Sequence, residues 1–346
     1  MPRSGPDRRW PVDREQWSRV VEAATRAPSI HNTQPWSFTV AGDRLDVRTD
    51  PSRALHALDR SGRQRVISCG VAVEFALVAL RAAGAEVAVE LLPDPADGDL
   101  LATMTVTGSA DPTDEDRALG AAIASRHTER APFRPEAVPA EVLDDLQRAA
   151  ATFSVWLKPV SGTDEEVATA FLVSRAEEME QGEPDYVAEL QQWLRTDPAA
   201  VDGIPVAAVP EDDPAARPSN WLVRDFVVGS RPAGRSPFHN PADPDAPPPE
   251  VERPAVVLMG TDNDDTMAWL TAGRALGQVL LRATVAGLAA SPLTQALDWP
   301  ATRAQLRGRL SLIGHPQMLL RLGYPSSDRT PSTNRRPVAE VLTFSG

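Results

Sequence analysis

Two stretches of this chain leave almost no side for water. Residues 70–84 (GVAVEFALVALRAAG) and 270–287 (LTAGRALGQVLLRATVAG) are apolar or small nearly all round. Each is long enough for about four helical turns. A helix without a broad polar face has to be buried on most sides. Neither stretch reaches the roughly eighteen uninterrupted apolar residues of a membrane span. The expectation is a protein interior large enough to surround both helices, which then meet each other.

The elements around them repeat. Asp13-Arg-Glu-Gln16 has the form of a capping box, and Trp17, Val20, Val21 and Ala24 then share one helical face up to Pro28. Short alternating strands follow at 36–40 and 45–47, with Gly42-Asp43 as the turn between them. After helix 70–84 come strands at 86–92 and 101–107. The order then restarts with helices at 113–125 and 139–151, strands at 153–158 and 254–260, the second apolar helix, and a strand at 317–323. Two halves with one order of elements suggest internal duplication, 1–110 and 111–346. The plainer alternative is two unrelated α+β domains.

Residues 182–253 have no counterpart in the first half. Prolines recur through the segment, from Pro184 to the run at 247–249, and prevent long helices and central strands there. It also carries Tyr186, Trp193, Trp221, Phe226 and Phe238. Disordered linkers are poor in aromatics, so a lid that packs on something is expected.

Composition removes several function classes. The formal net charge is −13, against general nucleic-acid binding. A lone cysteine, Cys69, rules out a disulfide framework and a multi-cysteine zinc site. The five histidines show no metal spacing, and no HExxH, GxSxG, GxGxxG or Walker pattern occurs. No apolar signal core opens the chain, so a cytoplasmic protein away from the membrane is the expectation.

Four short stretches could carry chemistry. Pro28-Ser29-Ile-His-Asn32-Thr-Gln34-Pro35-Trp36 packs amides, hydroxyls and an indole between two prolines directly after a helix. Arg126-His127-Thr128-Glu-Arg130 offers forked donors and a hydroxyl to a phosphate, or plain basic capping of a helix end. Residues 287–294, with Ala289, Ser291, Pro292 and Leu293, are small enough for backbone to approach a flat ligand; a glycine C-cap at Gly287 explains only the glycine. Asn334-Arg335-Arg336 is a second source of phosphate donors or a solvated basic tail.

Together these stretches resemble the flavin-dependent nitroreductase family. Pro-Ser-x-x-Asn-x-Gln-Pro-Trp at 28–36 carries the resemblance most specifically. Arg126–Arg130, residues 287–291, Gly323-Tyr324-Pro325 and Arg335-Arg336 support it. His127 and Thr128 stand where the family has Arg and Ser, and Gly-Leu-Ala-Ala stands for Gly-Leu-Gly-Ser. The first half lacks the Arg-rich motif, and the second half has Ala151-Thr-Phe-Ser-Val-Trp156 where the Pro-Ser motif belongs. One composite site is therefore complete and the other is lost. That is similar to the Acg-type branch, a fused tandem form.

The resemblance implies an α+β fold of two tandem nitroreductase-like halves, packed as an intramolecular pseudo-dimer with a Pro-rich lid. It implies FMN held by Pro28, Ser29, Asn32, Gln34, Arg126, His127, Thr128, Arg130, Ala289, Ser291, Pro292, Leu293, and Arg335 or Arg336. It implies hydride transfer from NAD(P)H through FMN to a small acceptor such as a nitroaromatic or quinone, with no side chain needed as acid or base and no metal. A flavin-sequestering protein under a closed lid is the alternative. Trp36 is expected in the core, since it begins a strand.

Overall fold

The computed structural model describes residues 13–206, 251–326 and 333–345. Helix α1 (Arg14–Thr25) opens where expected, with the Asp13 carboxylate accepting the Gln16 amide at 2.7 Å. The capping box is only half formed, because the Gln16 side-chain oxygen accepts from Arg19 instead. A short 3-10 turn at Ile30–Asn32 leads into β1 (Trp36–Ala41) and β2 (Arg44–Thr49), joined at Gly42 with φ 61°. Then follow α2 (Arg63–Ala82), β3 (Ala85–Leu91), β4 (Leu100–Ser109), α3 (Asp114–Ser125), α4 (Ala140–Ala151) and β5 (Trp156–Pro159). Next come α5 (Thr163–Gly182), α6 (Pro184–Gln192) and the small pair β6 (Leu194–Arg195) and β7 (Ile204–Pro205). The remainder is β8 (Ala255–Thr261), α7 (Thr266–Val285), β9 (Ala289–Pro292), α8 (Gln295–Asp298), α9 (Pro300–Arg309), β10 (His315–Gly323), α10 (Val338–Val341) and β11 (Leu342–Phe344).

The fold is α+β, with one sheet in each part of the chain. The first sheet runs β11-β1-β2-β4-β3 and the second β5-β8-β10-β9. The C-terminal tail crosses back: β11 pairs in parallel with β1, Phe38 opposite Leu342. A single apolar cluster takes residues from both sheets and from α2 and α7, so neither part has this core to itself.

The two apolar helices meet, and glycine sets how closely. A Cβ built on Gly70 would lie 2.4 Å from the Leu270 carbonyl oxygen, and one on Gly273 2.2 Å from that of Ile67. The buried Glu74 carboxylate sits in the same interface and accepts from Arg274 Nε and Gln278 Nε2, both at 2.9 Å. A charge sealed between helices is tolerable only when so matched.

Several elements differ from the sequence reading. Helix α2 starts at Arg63, not residue 70, because its polar first turn finds buried partners: Arg63 reaches Asp298 at 2.9 Å and the Gln317 carbonyl at 2.7 Å. Strand β5 starts at Trp156 rather than 153, since Ser154 turns the chain at φ 56°. The small-residue run after α7 is not just a helix cap; Ala289–Pro292 is a strand paired with β10. Helix α5 escaped the sequence reading, because its buried stripe is narrow and the rest is charged.

Asp59 sits at the start of α2, where its carboxylate accepts the amides of Gln64 (3.1 Å) and Arg65 (2.8 Å). Burial first, and then the charge of Asp298, push its pKa up to about 6 from 3.8. A carboxyl raised in the folded state stabilises fully below its unfolded pKa, and that contribution is lost as pH rises through about 6. Two units amount to about 3 kcal/mol at most. Asp59→Asn should therefore flatten the fall in stability between about pH 4 and pH 6 relative to the parent; urea midpoints across that range check it, and parallel curves would refute it.

Candidate functional site

The chain leaves α1 through a tightly wound loop. Ser29 Oγ accepts the Gln34 amide at 2.9 Å, and the Ile30 amide donates to Ser68 Oγ on α2 at 3.1 Å. Three non-glycine residues here are left-handed: His31 (φ 46°), Asn32 (54°) and Gln34 (50°). Such conformations each cost on the order of 1 kcal/mol and persist only where the surroundings enforce them. Trp36 then enters the core, fully buried.

This loop forms one wall of a cleft of about 1310 Å³, open mouth included. Both parts of the chain build it. Ile67 and Val71 of α2, Leu276 and Leu280 of α7, and Met318 and Leu320 of β10 supply an apolar floor. Ala290, Ser291 and Pro292 of β9 line another side, and Gly203 and Ile204 close over the loop. Thr128 is bridged to Ala290, which ties the Arg126–Arg130 stretch to β9.

One end of the cleft is cationic. Arg126, Arg130 and Arg335 line it together with Thr128 and Thr333. Arg126 reaches the Arg26 carbonyl at 3.2 Å, and its Nε is buried without a partner. Arg335 donates to the carbonyls of Thr25 (2.8 Å) and Thr333 (3.1 Å) and to Thr333 Oγ1 (2.9 Å). Among the described residues no carboxylate pairs with either. Burial, then the charge of Arg335, pushes Arg126 down to about 9; burial, then Arg26 and Arg130, pushes Arg335 down to about 10. Both stay charged at neutral pH. Half-buried, mutually repelling guanidiniums of this kind suit an anion.

Of the residues singled out in the sequence, Pro28, Ser29, Asn32, Arg126, Thr128, Arg130, Ser291, Pro292 and Arg335 line the cleft. Five others do not. Gln34 is fully buried beneath the loop, its side chain bonded to the Val201 carbonyl and to the Arg336 amide. Arg336 turns to Asp50 (3.6 Å) and Glu340 (3.5 Å), so Arg335 is the member of that pair at the cleft. His127 faces Glu129 at 3.6 Å. Ala289 is tied into the sheet opposite Gly323, and Leu293 belongs to a separate apolar cluster. The cleft residues that the sequence did not mark are Gln64, Ser68, the apolar floor, Thr294, Thr333, Gly203 and Ile204. Nothing in the sequence separates floor residues from core, since both are apolar at helical spacing.

The chain is 35% identical over 335 residues to a Mycobacterium tuberculosis (strain H37Rv) protein named as a candidate NAD(P)H nitroreductase, covering 96% of this chain and 92% of that one. The chain belongs to the nitroreductase family. Residues 8–65 match the model described as "Nitroreductase family". A second relative from the same strain, acg, with the same kind of name, is 29% identical and covers 93% of this chain and 94% of its own length. Among solved structures, the FMN-dependent nitroreductase NfnB from Mycobacterium smegmatis in complex with NADPH aligns at 18% identity, 67% of this chain and 100% of that one, with a TM-score of 0.38. Membership of that family, carried by the 35% identical relative, makes the α+β fold nitroreductase-like. No described helix is long and apolar enough to cross a membrane.

The aromatics expected to cover a flavin lie elsewhere. Tyr186 is buried with Leu55 and Leu58 and stacks near Trp299, ring centroids 6.5 Å apart. Trp193 lies between Arg53 (5.4 Å) and Arg195 (5.5 Å). They pack outside the cleft because Leu55, Leu58 and Arg53 of the first part reach them there. Trp221, Phe226 and Phe238 lie outside the described residues.

Proposed function

We propose that this nitroreductase-family chain is an FMN-binding oxidoreductase that passes a hydride from NAD(P)H, by way of FMN, to a small oxidised acceptor such as a nitroaromatic or quinone. The observation that carries the reading is the half-buried Arg126–Arg335 pair, without a carboxylate among the described residues, at one end of a cleft with an apolar floor. That pairing of features fits a cofactor with a phosphate at one end and a flat ring system at the other. Arg126, Arg130, Arg335 and the Thr128 hydroxyl would hold the phosphate. Pro28, Ser29, Asn32, Ser291 and Pro292 would border the rest over Ile67, Val71, Leu276 and Leu280.

FMN, when bound, supplies the two-electron chemistry. The residues supply placement, a charge-matched phosphate end and exclusion of water from the apolar floor. None is assigned as general acid or base. We further infer that the chain is a tandem duplication split near residue 110, whose pseudo-dimer forms one complete site. Gly203 and Ile204 support a lid that limits which acceptors enter. The same wall is the basis of the alternative reading, a flavin-holding protein with little turnover.

The visible spectrum of the purified protein before and after anaerobic NADPH tests these readings. A stoichiometric flavin band that bleaches within seconds supports the oxidoreductase. A band that persists for minutes supports holding, and no flavin uptake on reconstitution refutes both.

A further inference from the structure

Two polar residues of the loop after α1, Asn32 and Gln34, hold another segment of the chain. Asn32 Nδ2 donates to the Gly203 carbonyl at 3.1 Å, and the Gly203 amide returns a bond to the Asn32 carbonyl at 3.3 Å. Gln34 Nε2 donates to the Val201 carbonyl at 2.8 Å. From the other side, Asn334 Nδ2 donates to the carbonyls of Pro198 (2.9 Å) and Ala200 (3.1 Å). Residues 198–203 are thus pinned by side chains of the loop and the C-terminal tail.

Two acidic anchors fasten the same segment to the first part of the chain. The Glu189 carboxylate accepts three consecutive amides, His56 (2.7 Å), Ala57 (2.9 Å) and Leu58 (2.8 Å). Asp202 pairs with Arg195 at 2.8 Å and with Arg53, and those two guanidiniums flank Trp193. Little of this attachment is a deep core. Glu189 and Asp202 are both partly exposed, and the apolar cluster beneath α6 is small and separate from the main one. Segments held by a few polar anchors open at lower free energy than the core.

We propose that residues 184–206 form a clasp, caught by Asn32 and Gln34 and anchored by Glu189 and Asp202, that opens as a unit to let the ligand of the cleft in and out. The proposal rests on the cleft being the FMN site, and it assigns Gln34 to the catch instead of to the cofactor. The left-handed backbone of His31, Asn32 and Gln34 fits this role, because the clasp holds the strained loop in place and the loop holds the clasp. Gly203 and Ile204 then leave the cleft wall whenever the clasp lifts.

Glu189→Ala and Asp202→Ala each remove one anchor without touching the cationic end. Hydrogen exchange of residues 184–206, followed by mass spectrometry on the protein as purified, should speed up about tenfold or more in each, the consequence of losing charge-assisted bonds. Stopped-flow fluorescence should show FMN uptake by deflavinated protein and FMN release from loaded protein both faster by similar factors, with Kd changed less than about threefold. A clasp that is only a static wall would speed release alone and weaken Kd by the same factor, which overturns the proposal. Unchanged exchange in both variants overturns it as well, whether or not FMN binds. Failure of the parent protein to take up FMN would strike the flavin reading, and exchange would still decide the clasp.

Discussion

Arg126→Ala is expected to weaken FMN binding by roughly one to two decades, the loss of a charged hydrogen bond worth about 1.5–3 kcal/mol. Arg335→Ala should do the same. Both guanidiniums are half-buried at the cleft end with no carboxylate among the described residues, and each is depressed by desolvation and by neighbouring cations. A phosphate relieves that repulsion, so the expected effect exceeds that of an exposed arginine. Arg336→Ala should act more weakly on affinity, since Arg336 pairs with Asp50 and Glu340 and reaches Gln34, through its amide and its side chain, beneath the loop and not in the cleft. Arg126→Lys keeps the charge and loses the fork, and should fall between parent and alanine. Fluorescence titration of deflavinated protein measures all four. Arg126→Ala and Arg335→Ala both at parental affinity would remove the phosphate assignment. The same relief predicts that FMN raises the Tm of the parent protein more than that of either alanine variant.

Gly273→Ala should be strongly damaging for a single added methyl. Its Cβ would stand 2.2 Å from the Ile67 carbonyl oxygen and 2.9 Å from Gly70 Cα, both backbone atoms that cannot rotate aside. The helices α2 and α7 would have to separate, opening the buried Glu74–Arg274–Gln278 contacts with them. Overpacking of this kind costs about 1–3 kcal/mol, and a backbone clash lies at the upper end. Because α2 and α7 both supply the cleft floor, FMN affinity should fall along with stability. Gly308→Ala is the control: nothing lies within 4 Å of its Cβ position, and α9 should gain slightly in helix propensity. Urea unfolding of both variants checks the pair. Equal stability of Gly273→Ala and parent would mean the helices do not pack as closely as described.

The helices, strands and their order were largely legible because they follow from periodicity and capping, which are local. Asp13 accepts the amide three residues on, a cap that the sequence showed directly, while Asp265 caps α7 in the same way ahead of residue 270, where the helix was expected to begin. The loop at 28–36 also stood out, since polar residues crowded between prolines have no ordinary structural use, whereas Arg126, Thr128 and Arg130 fitted a helix cap as well as a phosphate site until their place at the cleft was seen. Less legible was direction. Gln34 and Ser29 stand in one motif, yet Ser29 lines the cleft and Gln34 turns under the loop to Val201. A left-handed residue reverses where the next side chain points, and no spacing rule reads that off a sequence.

What the sequence by itself determined is which segments must be buried and which must bear charge: two helices too apolar for water, and arginines with a hydroxyl between them in an acidic chain. The tertiary structure alone decided which of the arginines have a carboxylate partner among the described residues and which do not. Arg336 and Arg335 are neighbours in the chain, but one meets Asp50 and Glu340 while the other reaches the cleft beside Arg126. The physical reason is that burial and pairing depend on groups brought together from 200 or more residues apart, as Arg126 and Arg335 are. Charge is a property of a residue, whereas an unpaired buried charge is a property of a place.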